Sequence, residues 1–377
     1  MGLGLIGCGR IGYEDISALD APPAIDAVDA PEPGLLAACN IPVELLELPV
    51  PPTKTVTALE LGATASGVIV VWSIESGVWT TAFNVSPTHR FVVTQGGAEV
   101  TDFGTSDVAI GAVGDKAVLA VSHHDENDIF FHPLGPTGEA RESVKVVEAV
   151  HAHGNQYLVA DPSDRVFGVA GNDVRTTVTL EREIDSHPET DPVAAFPAIL
   201  AEATGITRLG DGYAVISGRP SACDLTAIDD GVNPMGTAQS VAGTCRNPTI
   251  ANPVGSAHVV AAWNCDCHQV WVTGGSLSAD LPAARAIYGD DVNSASNPRL
   301  APTAAGVWYG FEVVGGRLGR ALVDLDGAAV ESVATEIVVD GGAGDYDLIS
   351  RGDQAYLFWT VPDVTTTALW TMRLCAP

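Results

Sequence analysis

The densest group of side chains able to do chemistry in this sequence is Ser122-His-His-Asp-Glu-Asn-Asp128. Imidazoles beside carboxylates could bind a transition metal or serve as acid and base. Neighbouring residues on a strand point to opposite faces, so His123 and His124 would not share one ligand. We therefore take this segment as a candidate ligand-binding site through four of its residues: His123, Asp125, Glu126 and Asp128.

The elements that must position these residues are short strands in a recurring pattern. A short strand, a Gly/Asp turn, a very apolar strand that often ends in an aromatic residue, and a third alternating strand follow one another from about Val56 onward. Six of the seven apolar second strands lie in Gly67–Trp72, Ala117–Val121, Gln156–Val159, Gly212–Ile216, His258–Trp263 and Gly306–Phe311. The seventh ends the segment Asp347–Trp359, which holds a first strand, a turn at Arg351-Gly-Asp353 and the second strand. This spacing predicts an all-β fold, a seven-bladed β-propeller of four-stranded antiparallel blades. A pair of β-sandwiches is the rival interpretation, because short strands at similar spacing also form sandwiches.

The last repeat stops after its third strand, so its outer strand is missing. The unassigned segment Pro42–Leu48 precedes the first repeat and has the composition of a strand. We predict that it completes the C-terminal blade and so removes the seam of the ring.

Further carboxylates fall in the loops that follow second strands and in those that enter first strands. In a four-stranded blade both kinds of loop lie on one side, here called the upper face. The candidates there are Asp161, Asp164, Asp266, Asp290 and Asp291, with Glu75, Glu312 and Asp345 among further acids. Such a face suits calcium or a cationic ligand, although Asp is also common in turns. No cofactor is indicated, and calcium stays an open alternative.

Six cysteines follow Cys8, and an even number is typical of disulfides in an exported protein. Cys39 precedes the borrowed strand and Cys375 ends its expected neighbour, so strand order predicts a Cys39–Cys375 bridge. The remaining four are expected to form two more bridges, with Cys223 joined to Cys265 or Cys267. A metal–thiolate site is the alternative: Cys245, Cys265, Cys267 and His268.

Charge restricts the partners. The chain has 47 acidic and 18 basic residues among 377, a formal net charge of -29. A polyanion would be repelled by this charge, so nucleic acid is excluded as a partner. An extracellular protein or glycan is the expected partner, bound by a monomer.

The N-terminus carries Leu5-Ile6-Gly7-Cys8, which resembles a bacterial lipobox. The resemblance implies an exported lipoprotein whose Cys8 is lipidated, and Gly9 after it implies the outer membrane or the extracellular surface. Residues 1–7 are then the remnant of a truncated signal peptide. Residues 8–38, rich in Ala, Pro and Asp, form the lipid attachment and tether, and residues 39–377 form a single propeller domain. The membrane is contacted only through the lipid.

Two functions fit these features. The first is a non-enzymatic ligand-binding or scaffolding propeller at the cell envelope, which binds through its acidic upper face. The second is an extracellular polysaccharide hydrolase or lyase, with paired carboxylates on that face as general acid and base. No phosphate-binding loop or nucleophile elbow is found in the sequence, and we expect that the protein is not an enzyme.

Overall fold

The computed structural model describes residues 34–377, without 52–53, 103–104, 124–128, 142, 148–155, 161–164, 171–176, 184–193, 197–202, 220–221, 230–232, 254–255, 266, 291, 329–333, 338, 340, 364 and 377. The described residues form β-strands joined by turns and loops. Within them, no helix has the length and apolar character needed to cross a bilayer.

The strands of the first half of the chain are β1 Leu35–Leu36, β2 Val43–Leu48, β3 Ala58–Ala63, β4 Gly67–Ile74, β5 Gly77–Val85, β6 Arg90–Thr101, β7 Thr105–Val113, β8 Lys116–His123, β9 Ile129–Leu134, β10 Val144–Val147, β11 Gln156–Ala160, β12 Arg165–Ala170, β13 Thr177–Glu183 and β14 Ala194–Phe196. Those of the second half are β15 Ala203–Leu209, β16 Gly212–Arg219, β17 Ala222–Ile228, β18 Gln239–Ala242, β19 Arg246–Ala251, β20 His258–Asn264, β21 Val270–Ser276, β22 Arg285–Tyr288, β23 Ala295–Thr303, β24 Gly306–Val313, β25 Arg317–Val323, β26 Thr335–Ile337, β27 Tyr346–Arg351, β28 Gln354–Pro362 and β29 Thr367–Leu374.

These strands pair into antiparallel sheets that follow one another along the chain. Sheet 1 has the order β1-β6-β5-β4-β3, and sheets 2 to 6 are β7–β10, β11–β14, β15–β18, β19–β22 and β23–β26, each in chain order from one edge to the other. Sheet 7 has the order β2-β29-β28-β27. The first strand of each sheet contacts the first strand of the next, and β27 contacts β3. This is the arrangement of a β-propeller, whose blades are antiparallel sheets packed face to face around their innermost strands.

The second strands are the most buried elements, because each lies inside a sheet that is covered on both faces. All eight residues of β4 are buried, as are six of the seven in β20. Trp72, Trp263 and Trp359 at the ends of three second strands are at most 1% exposed. The tryptophans of these strands are therefore core residues, as the apolar runs predict.

Two-residue turns connect several first and second strands. Gly114, Gly210 and Gly352 occupy the first central position of three such turns with φ of 57° to 58°. A positive φ at this position is the requirement of a type II′ hairpin, which glycine meets without steric cost. The recurring Gly-Asp pairs are thus explained by turn geometry.

The N-terminal strand β2 pairs antiparallel with the C-terminal strand β29. This is the pairing expected for Pro42–Leu48. The compact unit starts at Gly34, and β1 forms a fifth strand on sheet 1 by pairing with β6. Residues 34–38, which the sequence analysis assigned to the tether, therefore belong to the folded unit.

Sheet 3 differs from the sequence prediction. Gln156–Val159 was expected to be a second strand, but β11 is the first strand of its sheet and pairs with β12. The apolar run alone does not distinguish the two, since both kinds of strand are apolar. Asp161 and Asp164, whose prediction rested on this strand, lie outside the described residues.

Candidate functional site

A polar network lies where the innermost strands of neighbouring sheets begin. Asp345 precedes β27 and Asp347 lies within it. Oδ2 of Asp345 accepts a hydrogen bond of 2.6 Å from the backbone N–H of Leu59, and Oδ2 of Asp347 accepts one of 2.9 Å from that of Leu61. Both donors belong to β3, so these two carboxylates join sheet 7 to sheet 1.

The second oxygen of each carboxylate is also engaged. Oδ1 of Asp345 accepts the N–H of Tyr346 at 2.9 Å, and Oδ1 of Asp347 accepts the N–H of Leu348 at 2.7 Å. Each of the four oxygens thus receives one backbone N–H and keeps one further acceptor site, so these bonds fix the position of both carboxylates.

Arg299 of β23 brings a positive charge to the same place. Its Nε lies 3.5 Å from Oδ1 of Asp347, and its Nη2 lies 3.6 Å from Oε1 of Glu60 on β3. The three side chains are 10–28% exposed, so water screens these ion pairs only in part. The guanidinium therefore connects sheet 6 to sheets 7 and 1.

Burial determines the electrostatics of the two aspartates. Loss of solvation raises the pKa of Asp345 to about 6, although Arg299 and two backbone N–H groups act in the opposite direction. Burial raises the pKa of Asp347 as well, against the same guanidinium. Folding therefore removes solvating water from both carboxylates, which disfavours their ionised forms.

The network continues toward sheet 5 through asparagines. Nδ2 of Asn297 donates to Oε2 of Glu312 at 2.8 Å, and Nδ2 of Asn247 donates to Oδ1 of Asn297 at 2.5 Å. The hydroxyl of Tyr346 donates to the carbonyl oxygen of Asn297. Asn247 and Asn297 have φ of 45° and 46°, a left-handed conformation that asparagine tolerates better than most residues. We call this set the inner network: Glu60, Asn247, Asn297, Arg299, Glu312, Asp345, Tyr346 and Asp347.

A cavity of about 370 Å³ adjoins the inner network. Its wall includes Thr57 before β3, Glu312 and Arg317 beside the turn between β24 and β25, and Asp345 before β27. Arg317 forms an ion pair with Glu336 and donates to the carbonyl oxygen of Val314. Two carboxylates and a paired arginine therefore face a space large enough for a small cationic group.

Of the sequence-predicted site residues, Asp290 is described with its side chain. It is exposed, and its Oδ1 accepts the N–H groups of Val292 at 2.7 Å and Asn293 at 2.6 Å. These bonds hold the pKa of Asp290 below its usual value. It shapes a turn, which is the ordinary role of aspartate in loops.

His123 is the last residue of β8. The other predicted ligand-binding residues lie outside the described part of the chain, as does the lipidation residue: Asp125, Glu126, Asp128, Asp161, Asp164, Asp266, Asp291 and Cys8. The grouping of these residues into one ligand-binding site therefore stays a prediction.

Sequence reasoning missed most of the inner network. It included Glu312 and Asp345 among the loop acids but not the charged residues inside first strands, Glu60, Arg299 and Asp347. The available signal was a charge within an otherwise apolar strand, which needs a buried partner.

Six cysteines form three bridges. Cys39 and Cys375 are joined, with 5.5 Å between their Cα atoms, as strand order predicts. Cys223 is joined to Cys245 rather than to Cys265 or Cys267, so that expectation is wrong. Cys223 lies in β17 opposite Ala242 of β18, and Cys245 lies between β18 and β19, so the bridge joins sheet 4 to the segment that leads into sheet 5. Cys265 and Cys267 are joined to each other.

The sequence matches no protein-family model and no curated protein. Three solved structures are similar over most of the chain. The WD40 domain of Toxoplasma gondii coronin has a TM-score of 0.57 at 12% identity, covering 89% of this chain and 85% of that one. The β-propeller domain of Myceliophteria thermophila Cps50 (Swd1) has a TM-score of 0.54 at 13% identity, covering 88% and 99%. Kuenenia stuttgartiensis hydrazine synthase has a TM-score of 0.57 at 11% identity, covering 86% and 96%. At these identities the likeness extends to the fold alone, and the chain is an all-β propeller.

Proposed function

We propose that this protein is a non-enzymatic ligand-binding or scaffolding propeller whose seven sheets are the blades of one closed ring. Two observations at the chain ends support closure: β27 contacts β3 on the inside, and β2 pairs with β29 on the outside. A closed ring leaves no exposed inner edge and provides a rigid frame for its loops.

The observation that carries a binding role over a catalytic one is the engagement of the buried carboxylates. A glycosidase acid or base must direct an oxygen at its substrate. Here all four oxygens of Asp345 and Asp347 accept backbone N–H groups. Their raised pKa values therefore reflect burial between blades, and their role is to join the blades.

The ligand is a positively charged group on an extracellular protein or glycan. A net charge of -29 supports this choice, because the field of the protein concentrates cations near it. The cavity beside Glu312 and Asp345 is the described position best suited to such a group. Within the described residues, no three His, Cys, Asp or Glu side chains are grouped so as to hold a metal ion, and binding as proposed requires no calcium.

Location is part of the proposal. The lipobox-like Leu5-Ile6-Gly7-Cys8 supports lipidation of Cys8 and display of a monomer at the outer membrane or the extracellular surface. Mass spectrometry of the full-length protein from its host tests this: a diacylglyceryl-modified Cys8 is expected, and an unmodified Cys8 would end the tether proposal.

Binding is tested with two glycan probes of opposite charge, chitosan oligosaccharide and dextran sulfate. We expect the cationic probe to bind at low salt, to weaken as salt is added, and dextran sulfate not to bind. Glu312→Gln should weaken chitosan binding several-fold more than Glu44→Gln, which removes the same charge from an exposed position on β2. Equal binding of both probes, or equal effects of the two variants, would overturn this proposal. Release of reducing ends from the glycan would favour the hydrolase.

A further inference from the structure

The turn between β20 and β21 carries an accessible disulfide, and the Cys39–Cys375 bridge is accessible as well, since Cys39 is exposed and Cys375 is half-buried. Cys265 is half-buried and Cys267 is exposed. Cys223 and Cys245, by contrast, are 0% and 4% exposed within an apolar cluster of sheets 4 and 5. A thiolate in solution can therefore approach the Cys267 sulfur directly, whereas the Cys223–Cys245 bridge is shielded while the propeller is folded.

Loop size separates this bridge from the others. Cys265 and Cys267 are 2 positions apart, against separations of 22 and 336 for the other bridges. Because the entropic constraint from a disulfide grows with the loop that it closes, this bridge restrains the unfolded chain least. Its reduction should leave the folded state nearly as stable as before.

The turn is also held by bonds that do not depend on the disulfide. The N–H of Cys265 donates to the carbonyl oxygen of Gln269 at 3.1 Å, and the N–H of Ala295 donates to the carbonyl oxygen of His268 at 3.0 Å. Nε2 of Gln269 donates to the carbonyl oxygen of Gly289 at 3.2 Å. After reduction the two sulfur atoms should therefore stay close enough to recombine.

The two sulfur atoms differ in their surroundings. The backbone N–H of Cys267 donates to Sγ of Cys265 at 3.2 Å. Such a donor stabilises a thiolate on Cys265 and makes it the better leaving group. The exposed sulfur of Cys267 is then the one attacked.

The geometry points to an exchange-active disulfide: we propose that Cys265 and Cys267 take up two electrons from a dithiol while the propeller stays folded. A thiolate of the dithiol attacks Sγ of Cys267, the S–S bond breaks, and Cys265 leaves as a thiolate. The second thiolate of the reductant then attacks the reductant sulfur that is bonded to Cys267 in the mixed disulfide, and Cys267 leaves as a thiolate. The dithiol becomes a disulfide, and the two cysteine thiolates take up two protons.

The side chains beside this turn fit a protein as well as a small reductant. Val292 and Val314 are 80% and 51% exposed. Ser294 connects Val314 to the turn, since its carbonyl oxygen accepts the N–H of Val314 and its hydroxyl lies 3.1 Å from Nδ1 of His268, and Val292 is two residues before Ser294 in the chain. Two exposed apolar side chains near an accessible disulfide could contact an extended thiol-bearing polypeptide. A small thiol and a thiol-bearing protein would both react with the disulfide through a thiolate.

Graded reduction of the native full chain tests the proposal. The protein is equilibrated in dithiothreitol buffers of increasing reducing strength, alkylated, and mapped by peptide mass spectrometry. We expect Cys265 and Cys267 to be labelled together at a reducing ratio about tenfold lower than the other four cysteines, without loss of the near-ultraviolet circular dichroism of the fold. Labelling of all six cysteines in one step, together with unfolding, would overturn the proposal.

Variants and a second reductant sharpen the result. Cys265→Ser/Cys267→Ser should lose the early labelling phase and keep its thermal midpoint, whereas Cys223→Ser/Cys245→Ser serves as the matched control that keeps the early phase. With reduced glutathione, the trapped adduct is expected on Cys267, and an adduct mainly on Cys265 would refute the assigned direction of attack. A protein dithiol such as thioredoxin distinguishes the source: faster reduction than by dithiothreitol at equal thiolate concentration indicates a protein reductant, and slower reduction indicates a small thiol.

Discussion

The seam between sheets 7 and 1 and the junction between sheets 5 and 6 solve the same packing problem with different polar groups. Both have continuous apolar cores: Trp72 and Phe358 lie in one, and Val272 and Tyr309 lie in the other. Between the innermost strands of the junction the polar contact is the neutral asparagine pair, and Ala295 bonds to the backbone of His268. Charged groups contribute elsewhere along the junction, through Arg285 on Gly327, Glu336 on Tyr288 and Asp326 beside His258. At the seam the contacts are two buried carboxylates, an arginine and a disulfide.

The difference follows from chain connectivity. Sheets 5 and 6 are joined by the short segment between β22 and β23, which limits how far they can separate. Sheet 7 is joined locally to sheet 1 through its outer strand β2, which leads into β3. Its other three strands, β27–β29, come from the far end of the chain, and the residues that bond Asp345 to β3 are 286 positions apart. Strong, directional contacts at both the inner and the outer side of the seam hold these C-terminal strands in place.

The largest effect is expected from removal of the Cys39–Cys375 bridge, which joins the two ends of the chain. Cys39→Ser/Cys375→Ser should lower the free energy of unfolding by about 5 kcal/mol, because the bridge closes a loop of several hundred residues. The matched variant inside sheet 4, Cys223→Ser/Cys245→Ser, should lose about 3 kcal/mol for its shorter loop. Urea unfolding measures both. Equal losses of unfolding free energy in the two variants would contradict the idea that the Cys39–Cys375 bridge contributes more to stability than the Cys223–Cys245 bridge.

Next in size is the inner side of the seam. Asp347→Ala leaves the buried N–H groups of Leu61 and Leu348 without an acceptor and Arg299 without one of its carboxylates. We expect a loss of about 4 kcal/mol in the free energy of unfolding. Asp347→Asn keeps one acceptor and should lose less. Asp290→Ala, which removes an exposed aspartate of a turn, is the control. If it lowered the free energy of unfolding as much as Asp347→Ala does, the result would contradict a special role for the seam.

Some of these features can be predicted from the sequence and others cannot. Apolar runs that end in tryptophan predict the buried second strands, because the run and the strand that it forms occupy the same short segment. The Cys39–Cys375 bridge is predictable too, since it follows from the order of strands in one sheet. The inner network is not, because its donors and acceptors meet only when separate sheets pack. The sequence also does not distinguish the first strand of sheet 3 from the second, because both are apolar runs and only the pairing of strands tells them apart.

A smaller effect is expected from pH. The pKa of Asp345 is about 6 in the folded protein, above its ordinary value of 3.8. The folded state therefore binds this proton more tightly than the unfolded state, and stability should rise as pH falls from 7 to 4, by roughly 2 kcal/mol. The gain levels off below the ordinary pKa of 3.8, where the unfolded chain is protonated as well.

Thermal unfolding between pH 4 and 7.5 measures this dependence, and Asp345→Asn should flatten it. Asp290→Asn is the matched control with the opposite sign, because the pKa of Asp290 is lowered in the fold and its contribution is lost as pH falls. A profile of Asp345→Asn that parallels the parent protein would show that the seam carboxylate does not control the pH response.

The smallest effect is expected at the junction between sheets 5 and 6. Asn297→Gly removes the amide bonded to Asn247 and Glu312 but keeps a residue suited to its φ of 46°. A loss of about 1 kcal/mol is expected, since both bonds are at half-buried positions and only the one to the Glu312 carboxylate, within sheet 6, involves a charge. Asn297→Ala should lose somewhat more, because alanine is strained at that backbone angle. A double-mutant cycle of Asn247→Gly with Asn297→Gly should give a coupling energy below that of Arg299→Met with Asp347→Asn across the seam. A coupling as large at the asparagine pair would mean that neutral contacts hold neighbouring sheets as firmly as the charged seam, and that chain connectivity does not set the choice of polar group.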